Sequence, residues 1–358
     1  MIEAVELAWR IVIALIEGAG LIVGTLVVAL AFGRGARAAA RRRRTAILRR
    51  YQADVDALLQ SGTASIALAR LLSSPRRHRA VIGETLIAPL RVAGGELADY
   101  VRAAATSLGL RDAWRARLRD GRWWVRADAV GALGLIRDRQ AVDLVIDALE
   151  DPHEEVRAAA AAALGSLGDP SALAVLLVAL GNPARHERAR IVDALGRFGA
   201  AVAPALADHA RRHPADAPDL IGVLGLVGGG ERVSDLVAWT ADERAEVRAA
   251  AVAAIGVLDL DERSYYFALR ALADEAAEVR VAAARALGRS RRPDAVPYLA
   301  ARLDDDWPVA AQCAWALRRL GPAGRHALAA RAADTGTAGE LSRQMLKVIA
   351  APATEAAP

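Results

Sequence analysis

A dipeptide of a branched aliphatic residue and glycine returns about every 31 residues through most of this chain. It stands at Leu133-Gly134, Leu164-Gly165, Leu195-Gly196, Leu224-Gly225, Ile255-Gly256 and Leu287-Gly288, with Leu317 as a seventh member that lacks the glycine. Seven residues before the marker lies Arg126, Arg157, Arg188, Arg248 or Arg280, whereas the fourth and seventh units have Ala217 and Ala310. Six residues before each of those arginines stands Asp120, Asp151, Asn182, Asp242 or Asp274. A fixed period of this length is the mark of a repeat array, in which each unit buries its apolar face only by stacking on the next. Such an array places function on a surface rather than in a catalytic cleft.

One unit shows what is repeated. Residues 140–150 place Val142, Val145, Ile146 and Leu149 at spacings of three and four, the apolar stripe of a helix. Asp151-Pro152 signals a turn, because proline presets its own backbone angle and aspartate bonds the amides that follow. Residues 154–167 begin with two acids at the positive end of a second helix and run through alanine, the best helix former. Gly168 is placed to end that helix as a left-handed cap. The small alanines allow neighbouring helices to approach closely.

The strings Asp151…Val156-Arg157, Asp242…Val247-Arg248 and Asp274…Val279-Arg280 resemble HEAT repeats, in particular the short bacterial type also seen in bilin-lyase-related proteins. The resemblance covers residues 107–332. It implies a side-chain ladder between neighbouring units, made by Asp120, Asp151, Asp242 and Asp274 with Arg126, Arg157, Arg188, Arg248 and Arg280. It also implies second helices that line a concave groove. Those arginines are thereby read as scaffold rather than as ligand-binding groups. The fourth unit departs from the pattern, with Ala217 at the arginine position and Pro214, Pro218 and Gly228-Gly229-Gly230 around it. A broken ladder and a loosened joint are expected there. In the seventh, Asp304 is present but Ala310 replaces the arginine, as suits an end unit.

The other end of the chain has a different chemistry. Residues 11–32 are apolar with a single charge, Glu17, and are long enough to cross a bilayer core as a helix. Arg34, Arg37, Arg41, Arg42, Arg43, Arg44, Arg49 and Arg50 follow, with no acid in residues 33–50, whereas residues 1–10 carry Glu3, Glu6 and only Arg10. The positive-inside asymmetry predicts a single-pass inner-membrane anchor with the N-terminus outside and the solenoid cytoplasmic. A cleaved signal peptide fits less well, because the run is too long and the basic residues lie on the wrong side of it. The expected fold class is therefore all-α: a right-handed α-solenoid of stacked HEAT-like hairpins with one N-terminal transmembrane helix.

Residues 33–50 contribute +8 to a formal net charge of +5, and residues 1–32 contribute −2, which leaves −1 for residues 51–358. The solenoid thus lacks the concentrated basic stripe a nucleic-acid module needs, and no nucleic acid is expected as a partner. Arg41, Arg42, Arg43 and Arg44 are candidates for anionic lipid headgroups. Residues 51–106 are read as divergent helical hairpins, broken at Ser61-Gly62, Ser73-Ser74-Pro75 and Gly94-Gly95, with Leu108-Gly109 as a candidate degenerate marker. Val55, Leu58 and Leu59, then Ile66, Leu68, Leu71 and Leu72, form their apolar faces. Residues 333–350 are expected to close the far end through a helix carrying Leu341, Met345, Val348 and Ile349, and residues 351–358 to be a disordered tail.

Several residues invite a functional reading. Glu17 is expensive inside a membrane and, with the small pair Gly20 and Gly24, is a candidate contact to a partner helix. His209 and His213 lie four apart between Asp208 and Asp216, but no third ligand is adjacent in sequence and Pro214 ends the helix. They read as a polar helix end, and no metal is expected. Trp123, Trp124, Tyr265 and Trp307 are candidates for a protein interface, since tryptophan offers large contact area at little entropic cost. Cys313, the only cysteine, reads as a buried apolar residue. Glycine-rich phosphate loops, nucleophile elbows and metalloprotease motifs are absent from the sequence, so neither enzyme activity nor a cofactor is expected. The expected function is a membrane-anchored scaffold or adaptor for a protein partner, as an accessory subunit of a membrane enzyme such as an envelope-polysaccharide glycosyltransferase. A bilin-lyase-type enzyme and a single-pass membrane sensor are the alternatives.

Overall fold

A computed structural model describes residues 38–39, 41–60, 65–92, 94–181, 185–228, 233–258 and 261–350. The proposed span 11–32 with Glu17, Gly20 and Gly24, the arginines Arg34 and Arg37, the break at Ser61-Gly62 and the tail 351–358 lie outside the described residues. Among the described residues no helix is long and apolar enough to cross a membrane, and there is no strand. The chain divides into two compact units, Met1–Ala116 and Arg117–Pro358.

In the first unit, helix α1 covers 41–60, followed by α2 (Ser65–Leu72), α3 (Arg76–Ile87), α4 (Gly95–Ser107) and α5 (Leu110–Arg117). Val55, Leu58, Leu71, Ile82, Leu86, Val101 and Trp114 are its buried core. Ile66, expected on the apolar face of α2, is 71% exposed, because Ala67 and Leu71 take the inward positions. Leu108, of the candidate marker Leu108-Gly109, is buried. Gly109 lies beyond the end of α4 at φ +71°, a left-handed cap with open space around it, and Arg102 bonds Asp99 within its own helix.

The second unit is built from alternating helices. The second helices of the hairpins are α6 (Trp123–Leu135), α8 (Glu154–Leu167), α10 (Arg185–Gly196), α12 (Ala217–Val227), α14 (Ala245–Ile255), α16 (Ala277–Arg289) and α18 (Trp307–Arg319). Each packs on the next, giving one continuous layer. The first helices α7 (Val142–Asp147), α9 (Pro170–Leu180), α11 (Ala203–Arg212), α13 (Val233–Trp239), α15 (Glu262–Ala271) and α17 (Val296–Ala300) pack against their hairpin partners. Then α19 (Pro322–Arg331) and α20 (Thr337–Ala350) cover α18, with Leu341 and Met345 buried as the closing-helix reading requires. Gly168 ends α8 at φ +64°, the expected left-handed cap.

The layer explains the period. Every branched aliphatic member of the marker, from Leu133 to Leu317, is essentially inaccessible to solvent. The glycine beside it touches the following second helix at the residue that precedes the next aliphatic member. A Cβ on Gly165 would lie 2.8 Å from the Cα of Ala194, and one on Gly256 would lie 2.7 Å from the Cα of Ala286. Glycine facing alanine thus brings successive backbones together. One joint differs: a Cβ on Gly196 would meet nothing within 4 Å. The facing position is Val223, where the other units have alanine.

Candidate functional site

The arginine of each regular unit spans two units. Arg126 forks onto Asp151, with Nε 2.7 Å from Oδ2 and Nη2 2.8 Å from Oδ1, while its Nη1 donates to the carbonyl of Asp120. Arg248 repeats this on Asp274 at 2.9 and 2.8 Å, with Nη1 on the carbonyl of Asp242. Arg157 donates to the Asp151 carbonyl, and the Asn182 position opposite lies outside the described residues. The fork holds the Asp151 and Asp274 carboxyls below the usual carboxylate range, chiefly through the arginine hydrogen bonds. Each such arginine bridges backbone and side chain at once, the ladder arrangement that the resemblance implies.

Three positions correct the expected ladder. Asp304 is not the last rung: Arg280 bonds Asp305 at 2.7 Å, and Asp304 pairs with Arg331 of α19. Asp120, at the start of the array, is held by Arg122 of its own turn. The fourth unit reroutes the ladder instead of breaking it. Arg188 reaches Asp216 at 3.0 Å and Asp219 at 2.5 Å, two residues of that unit outside the aspartate register. With Ala217 unable to reach Asp242, that carboxylate is taken by Arg244, which also donates to the carbonyl of Pro214 at 2.7 Å.

Four exposed tryptophans lie on second helices. Trp123 and Trp124 begin α6 and are 36% and 51% exposed, in an edge-to-face pair with centroids 5.8 Å apart. Trp123 also stacks on His153 at 4.1 Å. They wall a hollow of about 270 Å³ floored by Ala158, Ala159 and Ala162 of α8 and edged by Asp128, Glu155 and Arg190. At the other end, Trp307 and Trp315 of α18 are 66% and 46% exposed, with Arg318 over the Trp315 ring. Trp315 was legible as an aromatic, but its exposure depends on which way α18 faces. Tyr265 is a correction: it is buried beneath the Arg292 guanidinium, 4.0 Å from its ring centroid, and belongs to the core. Its neighbour Tyr266 is exposed instead. Arg41, Arg42, Arg43 and Arg44 lie on the exposed start of α1, with Arg44 paired to Glu84 at 2.8 Å. Cys313 is fully buried, and burial pushes its thiol up to about 12, as suits a core residue.

A continuous second-helix layer bridged by Arg–Asp rungs defines an α-solenoid of stacked helical hairpins. A family model for HEAT repeats matches residues 111–196 and 233–320. The stretch between the matches holds the irregular fourth unit. Among solved structures, the CpcE–CpcF complex of phycocyanin lyase from Nostoc sp. PCC7120 is 22% identical, over 66% of this chain and 94% of that one, with a TM-score of 0.34. Human deoxyhypusine hydroxylase is 24% identical, over 83% and 95% of the two chains, with a TM-score of 0.29. The Kap95:Nup1 complex is 16% identical over 85% of this chain, which spans 51% of the matched one, with a TM-score of 0.47. Comparison with curated proteins gives no match.

Proposed function

We propose that this protein is a membrane-anchored HEAT-repeat scaffold that binds a protein partner at the cytoplasmic face of the inner membrane. The observation that carries this reading is the exposed tryptophan area on the second-helix layer, at Trp123 and Trp124 on one end and Trp307 and Trp315 on the other. Large apolar side chains left in water beside an alanine-floored hollow mark an interaction surface, and tryptophan dominates the energetics of such surfaces. The anchor reading of residues 11–32 rests on length and charge asymmetry. It would keep the solenoid near membrane-bound partners and raise its effective concentration towards them. The exposed Arg41–Arg44 segment would add attraction to anionic headgroups at ~1 kcal/mol per residue. In this reading the protein is no enzyme itself, and an integral enzyme of envelope-polysaccharide synthesis is the kind of partner it would serve. Crosslinking and mass spectrometry on native membranes, comparing wild type with Trp124→Asp and with a deletion of residues 1–32, test it. One reproducible membrane partner, lost in both variants, is expected. Full partner occupancy in the deletion variant would sink the membrane role, and a visible tetrapyrrole absorbance band on the purified protein would favour a lyase instead.

A further inference from the structure

We propose that the fourth unit holds a divalent transition-metal site of the zinc class, formed by His209, His213 and Asp216. The two histidines sit on the last turn of α11 and its cap, one helical turn apart, with ring centroids 4.1 Å apart. In sequence they lack a third ligand. The fold supplies it, because the turn from α11 into α12 brings the Asp216 carboxylate back beneath them, with Oδ2 3.4 Å from His209 Nε2. One ligand atom from each of the three residues lies within 4.8 Å of the others. Bonds of about 2.0–2.2 Å in tetrahedral geometry need ligand atoms about 3.3–3.6 Å apart. Side-chain rotation closes that gap, and His213 is exposed and free to make it.

The surroundings favour a cation. Asp216 is 4% exposed, and its Oδ1 accepts from Arg188 at 3.0 Å, which leaves Oδ2 turned towards the imidazoles. An outer partner that fixes a carboxylate in this way is the usual support of a ligating group. Arg188 also pairs with Asp219, so two carboxylates share one guanidinium and the group carries a net negative charge. Nearby Asp208 and Arg212 neutralise each other at 2.8 Å. Two imidazole nitrogens and one carboxylate oxygen suit zinc over magnesium or calcium, and three protein ligands leave a fourth position for water. The site lies in the unit whose ladder position is Ala217 in place of an arginine. The ion would clip the end of α11 to the start of α12 within that hairpin.

The full-length protein, purified without a histidine tag and titrated with Zn²⁺ by calorimetry at neutral pH, tests this. One equivalent per chain is expected. His213→Ala should weaken binding by at least about tenfold, since even an outer-shell change costs ~10–100-fold, while His326→Ala should leave it unchanged. Zn²⁺ should raise the melting temperature of the wild type and of His326→Ala but not of His213→Ala. The exposed position of His213 keeps its variant folded. Substoichiometric binding, or binding indifferent to His213→Ala, would overturn the site.

Discussion

Ala163-Leu164-Gly165 and Ala194-Leu195-Gly196 are the same tripeptide at the same repeat position, yet one substitution should act on them with opposite sign. In Gly165→Ala the new Cβ would meet the Ala194 carbonyl oxygen at 2.5 Å and its Cα at 2.8 Å. Both are backbone atoms, so no rotamer change relieves the overlap and α8 and α10 must separate. Overpacking of this kind costs about 1–3 kcal/mol, offset by up to about 1 kcal/mol of improved helix propensity. With the full offset the net loss is up to about 2 kcal/mol. In Gly196→Ala the added methyl meets nothing, and its backbone already has an ordinary negative φ. The gain there is about 0.4–1 kcal/mol, through lower entropy of the unfolded chain. Thermal and denaturant unfolding of the full-length protein should show the melting temperature falling for Gly165→Ala and rising for Gly196→Ala, by roughly 2–4 °C per kcal/mol. Equal shifts of one sign in both variants would refute the assignment of the open joint.

Three further outcomes follow from the ladder and the core. Arg248→Ala leaves the half-buried Asp274 carboxylate without its fork and should cost about 1–3 kcal/mol in denaturant unfolding, whereas truncating Arg197, in an exposed pair with Asp193, should cost about 0–1 kcal/mol. The Asp151 and Asp274 carboxyls lie below their unfolded values. The stability they contribute is therefore complete above about pH 4 and is lost as pH falls through the folded values. Asp274→Asn should flatten that acid limb in a pH series of melting temperatures. Cys313, buried and with its thiol pushed up to about 12, should react with a thiol reagent at mildly alkaline pH only after denaturation.

The period itself was enough to determine the class of fold, because a hairpin too short to bury its own face has to stack. The arginine register was likewise legible, through the resemblance to HEAT repeats that its recurrence carries. The buried state of Cys313 followed from its place in an alanine-rich helix. Facing direction was not legible. Tyr265 and Tyr266 are adjacent aromatics, and only the rotation of α15 against its neighbours decides that Tyr265 enters the core and Tyr266 meets water. Periodicity also suggested a broken ladder at Ala217, but long arginine side chains reach whatever carboxylate the turn presents, so Arg188 and Arg244 restored the bridges by tertiary contact. The same turn carried Asp216 to His209. Repetition along a chain is a local property that sequence records residue by residue, whereas contacts at an irregular joint depend on the relative placement of helices that no spacing encodes.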